Sequence, residues 1–133
     1  MTKPMTLTQF PVHLGLGATA HVLPEMTGGM EWYEAYGKLH PNDGIEGRLV
    51  SMYTFTEDWS GWEVHPHGSE LVLCTAGSMI LHQEYPDGSK QSVTLSAGEY
   101  AINPPGVWHI ADVPESATVV FITAGEGTEH RPR

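Results

Sequence analysis

Trp62-Glu63-Val64-His65-Pro66-His67-Gly68-Ser69-Glu70 and Gly98-Glu99-Tyr100-Ala101-Ile102-Asn103-Pro104-Pro105-Gly106-Val107-Trp108-His109 are the two stretches on which the reading of this chain turns. His65 and His67 stand two apart. Residues i and i+2 of a strand point to one face, so an extended backbone would present both imidazoles together, as a chelating pair requires. In the second stretch, Pro104-Pro105-Gly106 cannot belong to a central ladder, because neither proline donates a backbone N–H. They make a rigid turn that delivers His109 to the start of a new strand.

Around these stretches the chain reads as all-β from Arg48 onward. Residues 49–56, 62–67, 70–75, 78–85, 91–95, 99–103 and 118–123 are short runs rich in β-branched and aromatic residues, punctuated by Gly and Pro. Tyr85-Pro86-Asp87-Gly88-Ser89 has hairpin chemistry. Leu71-Val72-Leu73-Cys74 is apolar on both faces, which predicts a strand covered on one side by the interior and on the other by an N-terminal helix or a second subunit. That helix is expected over residues 30–39, between Gly28-Gly29 and Pro41, with Trp32, Tyr33 and Tyr36 as its aromatic stripe. Short extended pieces at 10–14 and 20–23 precede it. The expected organisation is an N-terminal extension (1–47), a barrel (48–125) and a polar, frayed tail (126–133).

The two stretches resemble the two conserved motifs of the cupin superfamily. The first motif runs H-x-H, then Glu after three or four residues, then Gly seven beyond; His65, His67, Glu70 and Gly77 stand in those places. The second, G-x5-P-x-G-x2-H, is matched without a gap by Gly98, Pro104, Gly106 and His109. The resemblance implies a double-stranded β-helix, the jelly-roll barrel of the cupins, here with a short N-terminal helix. It also implies one divalent transition metal, Fe, Mn, Ni or Zn, on His65, His67, Glu70 and His109.

Trp59 stands where the first motif has its leading glycine, and Val113 where the second ends in asparagine. Only Gly68 and Ser69 separate His67 from Glu70, one residue fewer than the motif asks. On an unbroken strand Glu70 would face away from the histidines; a turn at Pro66 and Gly68 could return it. Glu63, which shares parity with His65, is the substitute carboxylate, and a three-histidine site the other alternative. His82 is a candidate extra pocket residue, and Cys74 is read as a small buried hydrophobe facing the interior.

Composition narrows the function. A net charge of −10 with Lys90 the only Lys or Arg between Val50 and Gly127 argues against nucleic-acid partners and against cation-clamped phosphorylated substrates. The single cysteine fits a reducing compartment, the cytoplasm by default, and no secretory leader or membrane span is read. The expectation is a metal-binding cupin, and a metal-dependent enzyme of oxygenase or isomerase type acting on a small neutral or metal-chelating molecule. The alternative is a non-catalytic small-molecule binding or sensing cupin. No catalytic base is assigned, and a homodimer is expected.

Overall fold

The computed structural model describes residues 3–133. Its elements in chain order are β1 (Val12–Gly15), β2 (Thr19–Val22), α1 (Met30–Tyr36), β3 (Arg48–Phe55), β4 (Gly61–Val64), β5 (Glu70–Glu84), β6 (Lys90–Ser96), β7 (Tyr100–Asn103), β8 (Trp108–Asp112), β9 (Ala117–Thr123) and β10 (Glu129–Pro132), with a 3-10 segment at Pro41–Glu46. The expected all-β jelly roll with a short N-terminal helix is the fold.

The two runs expected at 70–75 and 78–85 are one long strand, β5, and this strand builds the barrel. Its first half pairs with β9 and β7, from Glu70↔Thr123 and Glu70↔Asn103 onward. Its second half pairs with β6 and β8. One sheet therefore runs β2-β1-β3-β9-β5-β7 and the other β10-β4-β8-β5-β6, every pair antiparallel. The strand changes sheet at a bulge between Cys74 and Ala76. Gly77 follows at φ +71, and a Cβ there would lie 2.1 Å from the Ser116 carbonyl oxygen, so only glycine fits the crossing.

The bulge inverts strand parity. Glu70, Val72 and Cys74 are buried before it; Met79, Leu81 and Gln83 are buried after it. Val72, Cys74 and Met79 meet Ala117, Val119 and Phe121 of β9, Ala111 of β8, and Leu95 and Val113 in the core between the sheets. Each large apolar side chain so buried contributes about 1.5–3 kcal/mol. Trp32 of α1 makes a second, smaller cluster with Leu23 and Leu49. The helix stops at Tyr36, short of the expected residue 39, where Gly37 caps it.

The hairpin at 85–89 forms as expected: Gly88 N donates to Tyr85 O, and the Asp87 carboxylate accepts from Ser89 N and Oγ. The C-terminal residues differ from the expectation of fraying. Residues 129–132 pair with β4, whose edge needs a partner. Arg131 lies over the rings of Trp62 and Trp108, at 4.9 and 4.6 Å, and pairs with Glu84. Cation–π stacking between two distant tryptophans leaves no local signal in a polar sequence.

Candidate metal centre

Among the described residues, Glu63, His65, Glu70 and His109 bring one ligand atom each within 4.8 Å of one another. β4 supplies Glu63 and, just past its end, His65; the two share a face because they stand two apart. Glu70 opens β5, and His109 lies on β8 directly opposite Glu63. The Pro104-Pro105-Gly106 turn is anchored to the same place, with Gly106 N donating to His65 O at 3.1 Å.

The donor set fits a metal ion. His65 Nε2 lies 3.1 Å from Glu63 Oε1 and 3.2 Å from Glu70 Oε2; His109 Nε2 lies 3.1 Å from Glu70 Oε1 and 3.7 Å from Glu63 Oε1. An ion about 2.1 Å from two donors at right angles holds them about 3.0 Å apart, so these separations are those of neighbouring ligands. The contacts are close but misaligned for hydrogen bonding. His65 Nε2 and both ring nitrogens of His109 are buried without a hydrogen-bond partner, an arrangement that costs free energy unless something else fills it.

The surrounding residues orient the donors. Thr128 Oγ1 donates to Gly125 O at 2.7 Å, so it accepts the proton of His65 Nδ1 at 2.8 Å. That fixes the tautomer with the Nε2 lone pair facing the carboxylates. Glu70 is held at both oxygens: Asn103 Nδ2 donates to Oε1 at 3.0 Å and Thr123 Oγ1 to Oε2 at 2.6 Å, while Gln83 Nε2 donates to Asn103 Oδ1. Glu63 is the freer carboxylate, 30 % exposed and hydrogen-bonded through Oε2 to His130 of β10. Beside the donors stands an aromatic wall. Trp59 meets His109 edge-on at 6.1 Å and packs against Phe55 and Phe121, and its buried Nε1 has no partner. Tyr53, next in that wall, is hydrogen-bonded to Tyr33 of α1.

His67 does not join the group. Pro66 and His67 form a turn, β4 having ended at Val64, so the strand rule for H-x-H does not apply; His67 is exposed and packs beside Gly127. His82, on the outward parity after the bulge, bridges Ser92 Oγ and Asp112 Oδ2 in a surface groove. Cys74 is buried, as expected. The sequence carried a signal for Glu63. Counting from Glu63-x-His65, four residues precede Glu70, the spacing of the first motif, whereas His65-x-His67 leaves only two. Thr128, Asn103 and Thr123 had no such signal. We therefore expect His67→Ala to leave metal affinity unchanged, and Thr128→Val to lower it by about 10–100-fold, as loss of a ligand's orienting partner does; calorimetric titration of each variant with Mn2+ or Fe2+ reads both.

Without metal the four groups perturb one another. Burial would lower His65 and His109, but hydrogen-bonding distance to Glu63 and Glu70 outweighs it and pushes both up to about 9. Burial would raise Glu70, yet the two imidazoles bring it down to about 2, and Glu63 falls likewise. The raised histidines stabilise the metal-free fold fully below their ordinary 6.5 and lose this as pH climbs through about 9. The lowered Glu70 stabilises it above the ordinary 4.5 and loses this as pH falls through about 2. The thermal midpoint of metal-free protein should thus peak between pH 4.5 and 6.5 and decline towards 9. Metal affinity should rise over that same upper range, by about tenfold per pH unit for each proton displaced. Scanning calorimetry and metal titration across pH check the two halves.

No family model matches the chain, and no curated protein matches it. Solved structures do. Hydroquinone 1,2-dioxygenase from Sphingomonas sp. TTNP3, with 4-hydroxybenzoate bound, superposes at TM-score 0.51 and 18 % identity over 57 % of this chain and 59 % of its own. An oxalate oxidase superposes at TM-score 0.53 and 17 % identity over 61 % and 44 %. Peruvianin-I, a cysteine peptidase from Thevetia peruviana latex, gives 0.55 and 20 % over 64 % and 56 %. This chain thus spans about half the length of each of these structures, and the likeness is one of fold. Among the described residues no helix is long and apolar enough to cross a membrane.

Proposed function

Because the chain has the cupin fold, we propose that Glu63, His65, Glu70 and His109 hold one divalent transition ion and that the protein is a metal-dependent enzyme, of oxygenase or isomerase type, acting on a small neutral molecule. The observation that carries this is the pair of buried imidazoles whose free nitrogens face two carboxylates beside an aromatic wall. Two nitrogens and two carboxylate oxygens make a mixed donor set suited to Fe2+ or Mn2+ as well as Zn2+. Such an ion supplies Lewis acidity and, if redox-active, electron transfer to a bound small molecule.

The chain's own residues do the rest. Glu70, clamped by Asn103 and Thr123, and His65, clamped by Thr128, form the rigid side of the centre. Glu63 is less buried and is hydrogen-bonded to His130, so it is the ligand that joins the centre to the surface. Phe55, Trp59 and Phe121 exclude water and stack on an apolar or aromatic portion, with Trp59 Nε1 available as a hydrogen-bond donor. Two carboxylates against one dication leave the centre without excess positive charge. The C-terminal arginines are taken up by Glu84 and Asp112, which disfavours anionic substrates. The test is oxygen uptake and product formation by protein reconstituted anaerobically with Fe2+ or Mn2+, against a panel of small phenols, alcohols and carbonyl compounds. Turnover that is lost together with the metal in His109→Ala supports the reading; saturable binding across the panel with no turnover of any member replaces it with that of a binding protein.

The proposal extends to a cytoplasmic homodimer. The outer face of the larger sheet carries Leu71, Leu73, Val120, Ile122, Val50 and Met52 in cross-strand register, continued by exposed Tyr100 and Ile102. Helix α1 packs on Leu23 and Leu49 instead. Sedimentation should give twice the chain mass, and Leu73→Glu should halve it.

A further inference from the structure

We infer that the N-terminal layer contains a second, structural metal site, taking a borderline divalent ion such as Zn2+ on His13, His40 and Asp43. Among the described residues, these three form the other group whose ligand atoms lie within 4.8 Å of one another, and they share no residue with the barrel centre. They come from two segments: His13 from β1, and His40 and Asp43 from the cap and the interior of the 3-10 turn.

The site has the supporting contacts of a built one. His13 is buried, with Nε2 2.6 Å from Asp43 Oδ2 and Nδ1 2.7 Å from the Tyr36 hydroxyl. The other Asp43 oxygen accepts Leu16 N at 3.2 Å, which aims Oδ2 inward. His40 stacks on His13 at 4.1 Å with the rings within 4° of parallel, and His21 stacks on His40 at 4.8 Å; because an ion lies in the plane of each ligating ring, His40 turns out of this stack when it joins His13 on the ion. Two close approaches keep the pocket small. A Cβ at Gly47 would lie 2.7 Å from His13 Cε1, and one at Gly15 would lie 2.6 Å from Asp43 Oδ2.

In the metal-free protein the proton on His13 Nε2 lies between that nitrogen and Asp43. A divalent ion takes this position: His13 inverts its tautomer, donates Nδ1–H to the Tyr36 oxygen and offers the Nε2 lone pair, with the Tyr36 contact acting as the orienting bond that ligand histidines need. Imidazole with one carboxylate favours Zn2+, Ni2+ or Cu2+ over Mg2+ or Ca2+. Such an ion would reinforce the junction at which His13 of β1 already meets Tyr36 of α1 and Asp43 of the 41–46 turn.

The experiment is Zn2+ binding to the full chain, by elemental analysis after gel filtration and by calorimetry, in four proteins: unaltered, His40→Ala, His109→Ala and the double variant. The expected counts are two, one, one and none, with the His109→Ala protein gaining thermal stability on adding Zn2+ and the double variant gaining none. Asp43→Asn, which keeps the side-chain shape, should weaken binding in the His109→Ala background at least tenfold. If the barrel centre takes no metal, unaltered and His109→Ala proteins both bind one ion and this site still stands. If His109→Ala binds no Zn2+, or binds an ion that His40→Ala does not remove, the site is overturned.

Discussion

His109→Ala should bind Mn2+, Fe2+ or Zn2+ at the barrel centre at least about a hundredfold more weakly than the unaltered protein, a loss beyond that of an orienting residue. His109 is fully buried on β8, and neither ring nitrogen has a hydrogen-bond partner. The imidazole therefore does nothing for the ladder, which β8 makes through its backbone with β5. What it does is face Glu70 at 3.1 Å and Glu63 at 3.7 Å. Removing it takes away one of two nitrogen donors and leaves two carboxylates with a single imidazole between them. The metal-free variant should retain the strand signature of the unaltered protein in circular dichroism, while calorimetric titration shows the lost affinity. Retention of affinity within threefold would mean that the ion sits elsewhere.

Gly77→Val should be the most damaging single change to the fold. A β-branched residue at φ +71 is strained by about 1–2 kcal/mol before any contact is considered. At this position the new Cβ would also lie 2.1 Å from Ser116 O and 2.9 Å from its carbonyl carbon, backbone atoms that cannot rotate away. Ser78 N bonds that same oxygen, and Gly77 pairs with Ala117, so relief means unpairing β5 from β9 at the point where β5 changes sheet. A total cost of about 3 kcal/mol or more is a large share of a typical 5–15 kcal/mol stability. Gly88→Ala separates the two causes: its φ is +86, but nothing lies within 4 Å of a Cβ there. It should cost about 1–2 kcal/mol, the conformational strain alone. Urea unfolding of the three proteins measures this. Equal losses at the two positions would contradict the account of the crossing.

The contrast between what could and could not be read from the residues follows the range of the interactions. Most strands, the hairpin at 85–89 and the Pro104-Pro105-Gly106 turn are set by local alternation and backbone chemistry and stand where the residues put them, whereas the runs at 70–75 and 78–85 merge and the run at 62–67 ends at Val64. The parity of β5 could not be carried past residue 75, because the bulge is a property of pairing with β9; this is why His82 faces out although Glu70, also even, faces in. Pro66 ends β4 before the second histidine, so the face shared on that strand is that of Glu63 and His65. Thr128 meets His65 across 63 positions of sequence, and Arg131 meets Trp62 and Trp108, contacts that exist only once β10 has closed on β4. A polar tail carries no pattern that foretells them.

The most direct test of the central claim is a crystal structure of protein loaded with Mn2+ or Fe2+, with anomalous diffraction recorded at the metal's absorption edge. A strong peak is expected in the barrel, enclosed by Glu63 Oε1, His65 Nε2, Glu70 and His109 Nε2, with His67 turned away from it. A peak coordinated by His65 and His67 together, or none in the barrel at full metal loading, would contradict it.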